Sequence, residues 1–243
     1  MKKLFVLIGL VALVSLFNFK NVNAEEKQHH IIKQISANVL GDGECESVII
    51  SGVKNQDSTY FEEIKITVFE EKSGRLLCSQ IPTINCGFEP SVLAVDFDGD
   101  NLSEIFYSSQ SEKGGAYYVY SFLGGVKTLY DFEVDSPICS AKYQNYYKLR
   151  VNLGKKAVNV DISYKDKNYL SKLYMPNGKL YKNAKASVSK VDKVYPISVD
   201  GVYKLLSTRN VTGENNSDLI CKIVTLKSLN GGVFEVDNRF VVQ

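Results

Sequence analysis

Apolar and polar positions alternate along most of this chain in short runs, which Gly, Asn, Asp and Ser interrupt. Runs rich in Val, Ile, Tyr and Phe with a period of two predict β-strands, and the interrupting residues predict tight turns. From residue 25 onward no segment carries a long, capped pattern with the 3.6-residue period of a helix. The pattern leaves room for one short helix, around 140–147. The sequence therefore predicts an all-β protein.

The turn motifs recur in the same order at offsets of 100 to 107 residues. The matched segments are 73–77 with 177–181, 100–108 with 200–208, and 121–126 with 228–233. Any one of these matches alone has little weight, but three in order indicate an internal duplication.

A finer repeat lies inside the duplication. Residues 38–46 match 96–104 at an offset of 58, and each segment precedes an apolar run. Fainter copies lie near residues 153 and 196. We therefore expect a small propeller-like array of about four antiparallel blades, with two duplicated β lobes as the alternative. The repeat units are expected near 25–90, 91–145, 146–193 and 194–243.

The first 24 residues differ from the rest of the chain. Lys2 and Lys3 precede an apolar run that ends at Phe17, and a small-residue site ends at Ala24. This order is typical of a secretory signal peptide, and the apolar run is short for a membrane span. We therefore expect residues 25–243 to be secreted or associated with the cell surface, with no transmembrane span after cleavage.

The positive net charge belongs largely to that segment. Its three lysines account for the fall from 29 basic residues to 26, against 27 acidic residues, when it is removed. A near-neutral domain lacks the overall basic charge that nucleic-acid binding requires. Five scattered cysteines permit disulfides in an exported protein. Their odd number leaves at least one thiol unpaired within the chain, and their spacing does not fix a pairing.

The most definite chemistry lies in residues 96–104, the acidic loop. Carboxylates occupy positions 1, 3, 5 and 9 of this loop. These residues are Asp96, Asp98, Asp100 and Glu104. Calcium takes six to eight oxygen ligands, and this spacing lets a tight loop surround one ion with four carboxylates and the backbone carbonyl of Leu102. Without an ion the like charges would repel one another. The sequence therefore predicts a Ca²⁺ site, with an ion-free acidic turn as the alternative.

Residues 38–46, the first loop, keep part of this ligand set. Asn38, Asp42 and Glu46 stand at ligand positions, whereas Leu40 replaces an acid. We expect weaker calcium binding in the first loop, with no binding as the alternative. In the fourth unit only Asp200 remains of the acids, so no metal is expected there.

The acidic loop and the first loop, each with the apolar run that follows it, resemble the calcium loops of FG-GAP and VCBS-type repeats. Such repeats build β-propeller blades in integrin α-subunits and in many bacterial surface proteins. The chain from residue 25 onward also resembles exported VCBS-repeat proteins of bacteria. The resemblance implies calcium-stabilised blades with Asp96, Asp98, Asp100 and Glu104 as ligands, and a metal that is structural rather than catalytic.

The sequence offers little material for catalysis. Its only histidines, His29 and His30, are adjacent and near the N-terminus, so no nucleophile relay based on histidine is expected. The aromatic run 117–122 is expected to pack in the core, with stacking on sugar rings as the alternative.

We therefore expect an exported, calcium-stabilised, non-enzymatic binding or adhesion module. Its partner would be a cell-surface polymer, a carbohydrate or a protein. The alternatives are a secreted hydrolase that acts on cell-wall polysaccharide through a carboxylate pair, and a purely structural envelope protein.

Overall fold

The computed structural model describes residues 28–54, 58–112, 114–135, 138–181, 184–213 and 217–243. The expected signal peptide, residues 1–24, lies outside the described residues. The described chain forms three antiparallel sheets and one short helix, so the prediction of an all-β protein is confirmed. No helix within the described residues is long and apolar enough to span a membrane. All five cysteines are described, and each is a free thiol.

The strands follow the chain in three groups. The first sheet contains β1 (His29–Ala37), β2 (Glu46–Lys54), β3 (Tyr60–Glu70), β4 (Leu76–Gln80), β5 (Gly87–Val95), β6 (Glu104–Ser111), β7 (Gly114–Ser121) and β8 (Lys127–Asp131). The second contains β9 (Ser140–Gln144), β10 (Lys148–Asn152) and β11 (Ala157–Asp161), followed by helix α1 (Lys167–Leu173). The third contains β12 (Ser187–Val199), β13 (Val202–Thr212), β14 (Leu219–Asn230) and β15 (Val233–Val242).

The first sheet is divided at β3. This strand pairs with β5 only through Tyr60 and Phe61 at its start, and farther along it pairs with β2 and β4. The inner faces of the two halves share one hydrophobic core, to which Ile50 and Ile66 contribute from one half and Tyr118 from the other. Alternation along each strand places every second side chain in this core.

The third sheet packs on both other sheets. At one end, Leu229 and Phe234 pack against Phe97 and the outer face of β6–β8. At the other end, Val211 and Ile223 share a core with the second sheet and α1. The third sheet therefore connects the two other sheets through its buried face.

The aromatic run 117–122 supplies both faces of β7. Tyr118 and Tyr120 lie in the core of the first sheet, whereas Tyr117 and Val119 lie in the core shared with the third sheet. All four are almost fully buried. The prediction that this run packs in the core is confirmed, and a sugar-stacking role for it is excluded.

Other expectations about the fold are not met. The four-bladed, propeller-like array is not confirmed, because the described strands form sheets of eight, three and four strands. The short helix expected around 140–147 is wrong: the segment contains β9, whose Tyr143 is buried beneath the sheet. The helix is instead α1, whose N-cap Asp166 accepts a hydrogen bond from the N–H of Tyr169 at 2.9 Å. The division into four units remains a prediction.

Candidate metal centre

The acidic loop and the first loop close equivalent hairpins. The acidic loop joins β5 to β6, where Val95 pairs with Glu104, and the first loop joins β1 to β2, where Ala37 pairs with Glu46. The two loops are neighbours, because the N–H of Ser103 donates a hydrogen bond to the carbonyl oxygen of Asn38 at 2.8 Å.

Three hydrogen bonds of the acidic loop recur in the first loop at the sequence offset of 58. In the acidic loop they join Phe97 N–H to Glu104 Oε2 (3.1 Å), Gly99 N–H to Asp96 Oδ1 (2.7 Å) and Leu102 N–H to Asp100 Oδ1 (2.8 Å). In the first loop they join Val39 N–H to Glu46 Oε2 (2.9 Å), Gly41 N–H to Asn38 Oδ1 (3.1 Å) and Glu44 N–H to Asp42 Oδ1 (3.0 Å). The two segments therefore share one backbone conformation as well as a sequence pattern.

The shared conformation requires two left-handed residues in each loop. Gly41 and Gly43 in the first loop have φ of +81° and +85°, and Gly99 and Asn101 in the acidic loop have φ of +79° and +67°. Glycine adopts this region without strain, and asparagine tolerates it better than most other residues. These residue types explain why both segments fold into the same tight loop.

Three of the predicted ligands converge. Asp96, Asp98 and Glu104 each place a carboxylate oxygen within 4.8 Å of the others. Oxygens at this separation can all reach one ion, because calcium binds oxygen at about 2.4 Å. Asp100 is outside this group and accepts the hydrogen bond from Leu102, although it lines the same cavity of about 190 Å³ as Asp98 and Glu104.

The carboxylates of the acidic loop lie in an unfavourable environment for negative charge. Burial raises the pKa of Glu104 to about 7, and the neighbouring Asp98 and Asp100 add to this effect against the hydrogen bond from Phe97. Burial also raises the pKa of Asp98, with a further contribution from Asp100. Ionised carboxylates that are partly desolvated and close together gain stability from a cation. The arrangement can therefore bind a hard cation.

The first loop lacks this convergence. Leu40, at the position equivalent to Asp98, packs against the core of the first sheet. Within the described residues, a group of three such ligands occurs in the acidic loop alone. In the fourth unit, Asp200 and Gly201 form a two-residue turn between Val199 and Val202, so this hairpin has no loop of comparable length at the equivalent position.

Sequence reasoning missed the contact between the acidic loop and the third sheet. The cavity beside the carboxylates is also lined by Leu229 and Gly232 of the β14–β15 hairpin. Phe97, between two of the acids, packs edge to face on Phe234 with ring centroids 5.2 Å apart. No local pattern connects residues so far apart in the chain, so the sequence carries no signal for this contact.

Comparison with known proteins points to another family than the loop motif does. Residues 137–242 match the family described as the YybI C-terminal domain. The chain is similar to the uncharacterized protein YybI of Bacillus subtilis (strain 168), with 26% identity over 221 residues that cover 87% of this chain and 84% of that protein. No solved structure gives a significant match. The assignment to FG-GAP or VCBS-type repeats is therefore wrong. Alternating carboxylates in a tight hairpin loop suit a cation in any β protein, so the motif does not identify a family.

Proposed function

We propose that this protein is an exported binding or adhesion module, without catalytic activity, whose fold is stabilised by a calcium ion in the acidic loop. The group of Asp96, Asp98 and Glu104, with oxygens within 4.8 Å of one another, carries this proposal. Three hydrogen bonds within the loop hold its backbone in place, so few groups would have to move when an ion binds.

The ion would act on stability rather than on a substrate. Asp96, Asp98 and Glu104 would bind it, Asp100 and the carbonyl of Leu102 are the further ligands we expect, and water would complete the coordination. Glu104 is the first residue of β6, and Phe97 contacts the third sheet. An ion at this place would neutralise the carboxylates beside the contact between the first and third sheets.

Export is proposed from the order of basic, apolar and small residues in 1–24. The partner would then be a polymer, carbohydrate or protein at the cell surface. We expect the secreted protein to begin at Glu25, which mass spectrometry of the culture medium can check. Recovery of the full-length chain from the cytoplasm alone would contradict export.

Thermal unfolding in calcium and in EDTA tests the metal. A ligand that binds only the folded state at 100 times its Kd stabilises that state by about 2.7 kcal/mol, so calcium should raise the Tm. Asp98→Asn should abolish most of this rise. Asp42→Asn in the first loop is the matched control and should keep it. An identical melting curve for the wild type in EDTA and in calcium would exclude the calcium site.

A pull-down from cell-wall and secreted fractions tests the binding role. We expect the immobilised protein to enrich a partner, and to do so less in EDTA if calcium stabilises the binding surface. If nothing is enriched while a panel of wall polysaccharides is cleaved, the protein is a hydrolase and the binding role is wrong.

A further inference from the structure

The outer face of the second sheet carries a separate set of binding groups. We propose that a cleft on this face, the outer cleft, binds an anionic carbohydrate. Its volume is about 560 Å³, and its lining includes Lys142, Gln144, Asn145, Tyr146, Lys148 and Asn159. The cleft would be the partner-binding surface of the proposed module, so it rests on that binding function, but it shares no residue with the acidic loop.

Lys142, which lines this cleft, lies opposite a second cation, Arg150, on the neighbouring strand beside the cleft. In the antiparallel register Lys142 pairs with Arg150, which in turn pairs with Asn159 on the next strand. All three are exposed, and on β9 and β10 the intervening residues face the core. Like charges directly opposite on neighbouring strands are destabilising, so this arrangement favours an anion between them.

Lys142 and Arg150 have no carboxylate partner among the described residues. None of the described carboxylates lies within ion-pair distance of Lys142 or Arg150. The acid on the same face, Asp161, lies opposite Lys148 and compensates that lysine instead. The row of Lys142 and Arg150 therefore keeps its positive charge for a ligand.

An exposed tyrosine borders the cations. Tyr146, in the turn between β9 and β10, is 67% exposed. The backbone N–H of Tyr146 donates to the carbonyl oxygen of Gly178 at 2.8 Å. The ring of Tyr146 also lies against Gly178: a Cβ added to Gly178 would be 3.2 Å from Cδ1 of Tyr146. The ring is therefore supported on one side by the backbone. The electron-rich face of a tyrosine attracts the polarised C–H bonds of a sugar ring.

The backbone of this turn is unusual for its sequence. Tyr146 and Tyr147 have φ of +61° and +58°, a region in which aromatic residues are rare. Packing accounts for Tyr147, whose ring contacts Tyr174 with centroids 4.9 Å apart. Among the described residues, no ring contact of this kind accounts for a tyrosine at 146 in place of glycine or asparagine. Strained backbone of this type concentrates at binding sites, which suits a role in ligand contact.

Amide side chains complete the set. Gln144, Asn145 and Asn159 line the cleft, and Asn145 is held in place because its Oδ1 accepts the N–H of Leu180 at 3.0 Å. Amides both donate and accept hydrogen bonds, as neighbouring sugar hydroxyls require. Single-stranded nucleic acid would instead favour successive aromatic platforms, whereas Tyr143, the other tyrosine at this cleft, is buried. An acidic sugar therefore fits the groups better than a neutral sugar or a nucleic acid.

Binding to defined glycans tests the outer cleft in the full-length secreted chain. The probes are polygalacturonate for a carboxylate, phosphomannan for a phosphate, dextran for a neutral polymer and single-stranded DNA for a nucleic acid. We expect binding to at least one anionic glycan, weakening at high salt, and none to dextran. Whichever anionic glycan binds more tightly shows whether the outer cleft prefers a carboxylate or a phosphate ligand. Tighter binding to DNA than to either glycan would overturn the proposal.

Variants separate this site from general electrostatics. The double variant Lys142→Gln with Arg150→Gln should weaken glycan binding about tenfold, because it removes both unpaired cations. Lys54→Gln with Lys65→Gln, on the first sheet, removes the same charge elsewhere and should change nothing. Equal weakening by the two double variants would refute the outer cleft. The first double variant should melt no lower than the wild type, since it removes a like-charge pair.

Tyr146 has its own test. Tyr146→Asn suits the left-handed backbone and should weaken glycan binding, whereas Tyr146→Phe keeps the ring and should retain it. Retained binding in Tyr146→Asn would remove the tyrosine from the site. If a protein is enriched in the pull-down and no glycan binds, the outer cleft is wrong while the binding function stands.

Discussion

Glu104→Gln is the substitution that most directly tests the electrostatics of the acidic loop. Glu104 is only 6% exposed, and its Oε2 accepts the N–H of Phe97 at 3.1 Å. Glutamine has the same shape and still offers an oxygen to that N–H. The substitution therefore removes a charge while keeping the volume and the hydrogen bond.

The magnitude follows from the pKa of this side chain. Burial raises the pKa of Glu104 from 4.5 to about 7. The folded state then binds the proton more tightly than the unfolded state, so the free energy of unfolding falls as the pH rises from 4.5 to about 7. A shift of this size corresponds to about 3 kcal/mol as an upper limit. Without metal at about pH 8, Glu104→Gln should therefore be more stable than the wild type, by up to that amount.

Calcium should reverse this order of stability, so that the wild type becomes more stable than Glu104→Gln. The ion stabilises the wild type by mass action, whereas the variant has lost a ligand. Urea unfolding in EDTA and in calcium, below pH 4.5 and at about pH 8, measures the free energy of unfolding of each protein under all four conditions. Glu46→Gln is the matched control, because Glu46 is 2% exposed and accepts the equivalent N–H of Val39 at 2.9 Å. It should show no reversal.

Two results would refute this reasoning. If Glu104→Gln is less stable than the wild type at about pH 8 in EDTA, the charge of Glu104 does not destabilise the metal-free fold. If calcium leaves the order unchanged, Glu104 is not a ligand.

Three further predictions concern other parts of the chain. Leu40→Asp restores an acid to the first loop but removes a core contact, so it should lower the Tm in EDTA and add a second calcium-dependent rise, visible by calorimetry as a second bound ion. Asp135→Asn removes the negative charge that contacts the buried cations Arg209 and Lys227 at 3.1 and 2.6 Å. Urea unfolding should show that the free energy of unfolding falls by about 3–5 kcal/mol. Gly213→Ala places a methyl carbon in steric conflict with a carboxylate oxygen of Asp218, and overpacking should cost about 1–3 kcal/mol in the same assay.

The sequence by itself determined the strand texture and the conformation of the two related loops. Each loop is held by hydrogen bonds between residues at most seven positions apart, and its left-handed positions carry Gly or Asn. Such interactions depend on neighbours in the chain, so the offset of 58 between 38–46 and 96–104 predicts the shared geometry. The same locality misled the family assignment, because a hairpin loop suited to a cation can arise in unrelated folds.

In short segments without a strong hydrophobic period, the tertiary surroundings decided the secondary structure. Residues 140–147 contain a strand because Tyr143 is buried beneath the second sheet and pairs with Leu149 on β10. Helix α1 has only seven residues, which is too short for periodicity to identify. The cap at Asp166 is the signal that the sequence did contain, and the burial of Leu173 fixes the helix on the core.

Only the tertiary structure decided which distant charges meet. Asp135 lies between Arg209 and Lys227, which are 74 and 92 residues away in sequence, and it also accepts a hydrogen bond from Tyr130 at 2.8 Å. Burial lowers the pKa of Lys227, and Asp135 opposes that shift. The charges of the outer cleft likewise face each other only through strand register. Periodicity reports which side of a strand is buried, but pairing and packing decide which side chains become neighbours, and the candidate binding chemistry depends on those neighbours.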